Sequence, residues 1–476
     1  MRKTPDTVSP MRRTKIVCTL GPSSATLEGI RELAKAGMNV ARINLSHGKR
    51  EDRLKMIEII SMLRKEGLTI AIMFDTKGAE IRTGEVPHPL TIAKGQEVIF
   101  SPNRLENEKR TVISVNYSGF SQDVRETNRI LLDNGEMIFD IVKIADDGTV
   151  LARSQNEGEI GSRRHITLPG ADIDLPSLTQ QDWDDIALGI EQNVDYFSLS
   201  FIRKAEELRE VRDFLMKHKS AARIITKIET KQAVANIAEI IAASDGIMVA
   251  RGDLGSDLPF EDLPSIQDEI VARCHDAGVP VIVATHMLES MIEHPSPTRA
   301  EVTDVAHAAM TRADATMLSG ETANGKYPLK AVEAMDRILR KTEDHLQRFP
   351  LPSIVGVRTD REARAEAAVS LASATSAAAL LVFTKSGQTA REVSKFRPKV
   401  PVIALTNSAS TLYKLCLSYG VLPLVIPFSD PESTVHEGLR AALASGIVSS
   451  DQSVVLLSDM QTKDAPVQSV QTRTIA

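Results

Sequence analysis

An α/β fold is what this chain predicts: eight parallel strands closed into a barrel with helices between them, a small β-barrel domain inserted, and an open α/β domain following. Three observations carry that expectation. Apolar strand-like runs alternate with helix-like segments from Lys15 onward, three of them before residue 79 and five between 172 and 347. Between 79 and 171 the rhythm stops, and short strand-like runs are separated by the turn signals Asp133-Asn134-Gly135 and Asp146-Asp147-Gly148. Beyond a linker holding Pro350 and Pro352, strands and helices alternate again to about Ser458, the pattern of an open sheet.

The elements follow in order. Barrel strands are expected at Lys15–Leu20, Val40–Ser46, Ile70–Thr76, Asp195–Ile202, Ala222–Glu229, Gly246–Arg251, Pro280–Met287 and Ala315–Gly320. Ser24 or Thr26 caps the first helix, and a helix from about Pro328 to Leu346 completes a (β/α)8 TIM barrel. The resulting domains are an N-terminal arm (1–13), the barrel (14–78 and 172–347), the insert (79–171) and a C-terminal α/β domain (348–476). Met1 to Arg13, short, polar and basic, reads as a disordered arm.

Composition removes several classes of function. At 476 residues the chain has room for roughly two to four domains. A net charge of −6 gives no general affinity for nucleic acid. Cys18, Cys274 and Cys416 are scattered and odd in number, against a disulfide framework or a zinc site. No apolar run reaches membrane-spanning length and the start lacks a secretory core, so the cytoplasm is expected.

A barrel of this kind keeps its chemistry at the C-terminal ends of its strands. Three successive ends there offer Lys227 and Glu229, then Gly252 and Asp253, then Thr285. Glu229 and Asp253 are hard oxygen donors, too few to cage an ion alone but suited to Mg²⁺ with substrate and water oxygens; the alternative is a pair of salt-bridged acids. Lys227, two residues from Glu229 and on the same strand face, either offsets charge on a phosphoryl group in transfer or merely lines the mouth. Arg42 shares a face with Asn44 and Ser46 and suits phosphate or a surface ion pair. Asn44 and Ser46, with Asp75 and Thr76, could hold a monovalent cation or satisfy backbone groups. Ser319 and Glu321 could feed a proton relay or form a helix-capping turn.

The ordered motifs resemble the pyruvate kinase family. They run from Thr14–Pro22 and Asn39–Gly48 through Asp75–Gly84, Thr226–Glu229 and Val249–Gly255 to Ala284–Met291, Pro297–Glu301 and Leu318–Ala323. The resemblance covers about residues 14 to 460 and implies phosphoryl transfer from phosphoenolpyruvate to ADP, giving ATP and pyruvate, the last step of glycolysis. It implies that Glu229 and Asp253 bind Mg²⁺ (or Mn²⁺), that Arg42 and Lys227 face the phosphoryl group, and that Gly252, Asp253 and Thr285 hold the substrate carboxylate. Asn44, Ser46, Asp75 and Thr76 match K⁺ ligands, and Asn44, His47, Arg82 and Arg164 match nucleotide contacts. Glu80 resembles the K⁺-requiring members, the insert is expected to act as a lid, and the assembly is expected to be a homotetramer. The loop Thr384-Lys385-Ser386-Gly387-Gln388-Thr389 resembles a sugar-phosphate effector site; AMP is the other effector to test, and an ordinary strand-to-helix connection the alternative. Departures from the family pattern are Ala79, His286, Arg163-Arg164 and Ser256-Asp257.

Overall fold

The structure is a computed structural model that describes residues 11–103, 110–171, 173–348, 356–461 and 466–476. Among them, eight parallel strands close into a barrel: Lys15–Thr19, Val40–Asn44, Ala71–Asp75, Tyr196–Leu199, Arg223–Ile228, Gly246–Ala250, Val281–Ala284 and Ala315–Leu318, the last pairing with the first. Alternation along each strand sorts its side chains into two cores. Ile16 and Cys18 point out to the helices, and Val17 points in. Val40, Ala71, Met73, Tyr196, Ile225, Met248, Ile282 and Met317 fill the interior with Val17. Cys416 and Leu417 of the C-terminal domain close the floor of this inner core.

Every strand is shorter than expected at its C-terminal end. The polar residues there leave the ladder to form the mouth, and the largest difference follows the sixth strand. Arg251 was expected to end that strand with open backbone beyond; instead Arg251–Asp257 is a short helix beginning at once. The next helix is Leu263–Ala277.

The insert is a curled half-barrel. Its six-stranded sheet runs in the order Ile166–Thr167, Arg129–Leu132, Met137–Ile144, Val150–Ser154, Glu97–Ser101, Thr111–Ser114, and a ribbon of Leu90–Ile92 with Gly158–Ile160 lies beside it. Its own core gathers Phe100, Phe120 and Phe139. The C-terminal sheet has five strands, with Leu380–Phe383 central and alternate residues feeding separate cores on its two faces. Its edge was not expected: Ser453–Gln461 turns back as the antiparallel strand Pro466–Thr474.

Residues 1–10 of the expected arm, and 349–355 of the linker, lie outside the described residues. Residues 12 and 13 correct the reading of the arm as disordered. Arg12 is buried against Asp336, and the Arg13 and Thr14 N–H groups donate to Glu343 at 2.8 and 2.7 Å. A buried guanidinium with a carboxylate and carbonyl partners is held in place, whatever the polarity of its neighbours in sequence.

Candidate active site

Alternation carries straight through into the site. Ile225 lies inside the barrel, so Lys227, two residues on, projects into the mouth, and Glu229 stands above it. Val40 likewise sets Arg42 inward, and Met73 sets Asp75 inward. These side chains meet. Arg42 Nε donates to Asp75 Oδ2 at 2.7 Å and its Nη1 to Thr19 Oγ1 at 2.8 Å. Lys227 Nζ lies 3.3 Å from Asp75 Oδ1 and 2.7 Å from Glu229 Oε1. It also donates to Ser200 Oγ at 2.7 Å, and Ser200 passes its own proton to the Thr76 carbonyl at 2.6 Å. All four charged groups are buried.

Burial opposes each of these charges, and the neighbours decide the outcome. For Asp75, Arg42 and Lys227 outweigh burial and hold the carboxyl below its ordinary range. For Lys227, burial is overcome by Asp75, Glu229 and Asp253, and the ammonium is held above its usual value. Glu229 is raised as well: burial and the repulsion of Asp253 prevail over the Lys227 ammonium. A buried carboxylate so placed, with a second carboxylate bordering the same cavity of about 60 Å³, suits a divalent cation. Among the described residues no group of three or more His, Cys, Asp or Glu side chains is placed to hold a metal ion.

The short helix after the sixth strand brings Gly252 and Asp253 to its first turn. The Gly252 N–H donates to Thr285 Oγ1 at 2.8 Å, and the Thr285 hydroxyl donates to the Ala284 carbonyl at 2.6 Å. Thr285 and His286 both adopt positive φ (68° and 55°), a left-handed backbone costly for a β-branched residue and concentrated at functional sites. Arg251 braces this turn through Asp304 at 2.7 Å. Glu321 is buried, with its oxygens receiving the Ser319 and Leu288 N–H groups at 2.7 and 3.0 Å. Burial raises its pKa.

The remaining candidates are spread around this centre. Asn44 and Asp75 are register partners on adjacent strands. Asn44 Oδ1 accepts the Ser46 N–H at 3.1 Å, and Thr76 Oγ1 accepts the Ser200 N–H at 3.1 Å. A cavity of about 880 Å³ between barrel and insert is lined by Ser46, Lys77, Glu80, Arg82 and Arg163. His47 and Arg164 are exposed and lie off its lining, as does Asn44. Arg82 is paired with Glu80 through Nε at 2.8 Å, and Arg164 with Asp133 at 3.1 Å. In the C-terminal domain, residues 384–389 connect a strand to the helix Gln388–Lys395; the Gly387 N–H is satisfied by Thr384 Oγ1 at 2.9 Å, and Lys385 and Ser386 are exposed. Sequence reasoning missed Ser200 and Thr19, which orient Lys227 and Arg42. Their inward positions at strand ends were the available signal.

Two family models match this chain. "Pyruvate kinase, barrel domain" matches residues 11–332 and "Pyruvate kinase, alpha/beta domain" residues 362–468. The chain belongs to the pyruvate kinase family. It is 43% identical over 452 residues to pyruvate kinase isozyme G, chloroplastic, of Nicotiana tabacum, covering 94% of this chain and 80% of that one. To the pyruvate kinase of Dictyostelium discoideum it is 39% identical over 460 residues, covering 94% and 91%. A crystal structure of a pyruvate kinase from Cryptosporidium parvum superposes with a TM-score of 0.90 at 32% identity, covering 98% and 96%. Pyruvate kinase activity, a phosphotransfer, is the activity of this chain.

Proposed function

We propose that the barrel mouth carries a phosphoryl group from phosphoenolpyruvate to ADP, with Lys227 and Arg42 facing the group in transfer. The observation behind this reading is the shared anchor: Asp75 holds both cations on one carboxylate, while Lys227 touches Glu229. Two basic side chains fixed in a dry site stabilise charge that develops on a transferring phosphoryl group without reorganising for each turnover. Glu229 and Asp253 would hold Mg²⁺ or Mn²⁺, which supplies Lewis-acid charge stabilisation to phosphoryl oxygens. The Gly252 and Asp253 N–H groups and the Thr285 hydroxyl receive the substrate carboxylate, for which the Gly252 N–H and the Thr285 hydroxyl exchange their present contacts. Ser319 and Glu321 lie along the route by which the enolate product is protonated to pyruvate. Glu321, buried and raised in pKa, can keep a proton at neutral pH more readily than an exposed glutamate.

Asn44, Ser46, Asp75 and Thr76 would hold K⁺, supported by their place on two adjacent strand ends. ADP occupies the cavity beneath the insert with Arg82 on its wall, and Asn44, His47 and Arg164 reach it as the insert closes. Residues 384–389 offer exposed hydroxyl and ammonium groups to a sugar phosphate or AMP. The homotetramer rests on family resemblance. A cytoplasmic location rests on three buried free cysteines, although the tobacco relative is chloroplastic by name.

A coupled assay tests the centre of this reading: phosphoenolpyruvate and ADP with Mg²⁺ yield ATP and pyruvate, and turnover drops when K⁺ is replaced by Na⁺ or Tris. Equal turnover without K⁺ removes the monovalent site. Unchanged phosphoenolpyruvate saturation across sugar phosphates and AMP removes the effector site.

A further inference from the structure

The helix Arg251–Asp257 begins with the turn that bears Asp253 and ends on Asp257, four residues later and so on the same helical face. The Asp257 carboxylate divides its oxygens between two backbone donors from distant segments. Oδ2 accepts the Lys231 N–H at 2.7 Å, just beyond Glu229 and Thr230. Oδ1 accepts the Gly170 N–H at 3.2 Å, where the chain returns from the insert. Gly170 has a φ of +75°, a conformation that side-chain-bearing residues rarely adopt, so this return crossing is a defined bend. Asp257, Asp253 and Glu229 border the same cavity of about 60 Å³, and Ala79 and Ile166 of the insert form part of its opposite wall. One side chain thus joins the helix of one candidate metal carboxylate, the segment of the other, and the insert.

The outward crossing is built differently. Lys77 and Gly78 donate their N–H groups to Asp182 Oδ1 at 3.0 and 3.1 Å. Asp182 belongs to the helix Gln180–Glu191, which carries neither Glu229 nor Asp253. The return crossing, unlike the outward one, is tied by a single side chain to the segments of both candidate metal carboxylates.

We propose that Asp257 is a positioning residue that couples the seating of the insert to the spacing of Glu229 and Asp253, so that insert closure and cation binding favour one another. This rests on the reading of Glu229 and Asp253 as the divalent-cation pair. Hydrogen bonds to an ionised acceptor are about twice as strong as neutral ones, so losing the Gly170 donor relaxes a strongly held helix end. Coupling of this kind is reciprocal: what the insert does to cation affinity, the cation does to the insert.

The test uses hydrogen exchange by mass spectrometry on the full chain, without and with Mg²⁺ alone, together with the Mg²⁺ activation constant from turnover. In Asp257→Ala, exchange in the peptide holding Gly170 should accelerate by about 10-fold or more even without metal, the scale of a lost hydrogen bond to a charged acceptor. Its Mg²⁺ activation constant should rise by about 10-fold or more. Mg²⁺ should slow Gly170 exchange in the wild type and not in the variant, and Asp257→Glu should restore both behaviours. Should Asp257→Ala not fold, Asp257→Asn, which keeps one acceptor oxygen, makes the same comparison. Unchanged Gly170 exchange overturns the proposal, and so does faster exchange with an unaltered Mg²⁺ constant. Failure of the cation reading itself is seen separately, as a Glu229→Gln enzyme whose Mg²⁺ response is intact.

Discussion

At the floor of the barrel, Asp314 receives Arg397 through both guanidinium nitrogens at 2.8 and 2.9 Å, and also the backbone N–H groups of Val281 and Tyr419. Asp195 there is shared by Arg64 and the Ile72 N–H. At the mouth, among the described residues, the Asp75 carboxylate is held by side-chain cations, Arg42 and Lys227, in the contacts described above. The floor encloses a cavity of about 10 Å³, room for about one water, whereas the mouth opens on cavities of about 60 and 880 Å³. Both ends bury ion pairs. What separates them is the company those pairs keep: Asp314 is also satisfied by backbone N–H groups and joins two domains, whereas Glu229, paired with Lys227 at the mouth, borders open space beside Asp253. A buried salt bridge alone is weak evidence of either role.

That contrast can be broken from either end. A large effect is expected at the floor: Arg397→Ala leaves Asp314 buried without its cation and should lower stability by about 3 kcal/mol in denaturant titration, with kcat near wild type. Loss of activity out of proportion to unfolding would undo the division of labour. Next is Asp75→Ala, which releases the anchor shared by Arg42 and Lys227. Misplacing reacting groups by about 1 Å costs on the order of 100-fold, so kcat should drop by about that factor in the coupled assay. Glu229→Gln should raise the Mg²⁺ activation constant by about 10-fold or more, read from Mg²⁺ titration of turnover.

A pH dependence sharpens the floor. Burial and the nearby Arg397 lower the His275 pKa from 6.5 to about 4, while its Nε2 lies 2.8 Å from the Lys395 carbonyl. The folded state binds this proton less readily than the unfolded chain, so His275 contributes stability above pH 6.5 that is lost as pH falls toward about 4. In chemical denaturation across that window, wild type should lose more stability than His275→Gln. Parallel curves would contradict it.

Much of this architecture was legible in the residues. Period-two alternation put Lys227 on one face with Glu229 and Arg42 on one face with Asn44 and Ser46, because strand geometry is local and repeats along the chain. What stayed hidden depends on residues distant in sequence. Nothing near Asp314 announces Arg397, and Arg12 reads as part of a polar tail until Asp336 is beside it. Asp257 looked like a departure from the family pattern; its meaning emerges only where Gly170 and Lys231 converge. The final strand Pro466–Thr474 was overlooked since its apolar residues are too sparse to stand out, and its pairing with Ser453–Gln461 defines it.

The most direct measurement is the rate of ATP and pyruvate formation from phosphoenolpyruvate and ADP by Lys227→Met under conditions where its fold is intact by circular dichroism. Loss of one preorganised cation at a developing charge predicts a fall in kcat of about 1,000-fold. A variant that turns over at the wild-type rate would show that the charges gathered at the barrel mouth are there for architecture, as those at the floor are, and that phosphoryl transfer takes place elsewhere.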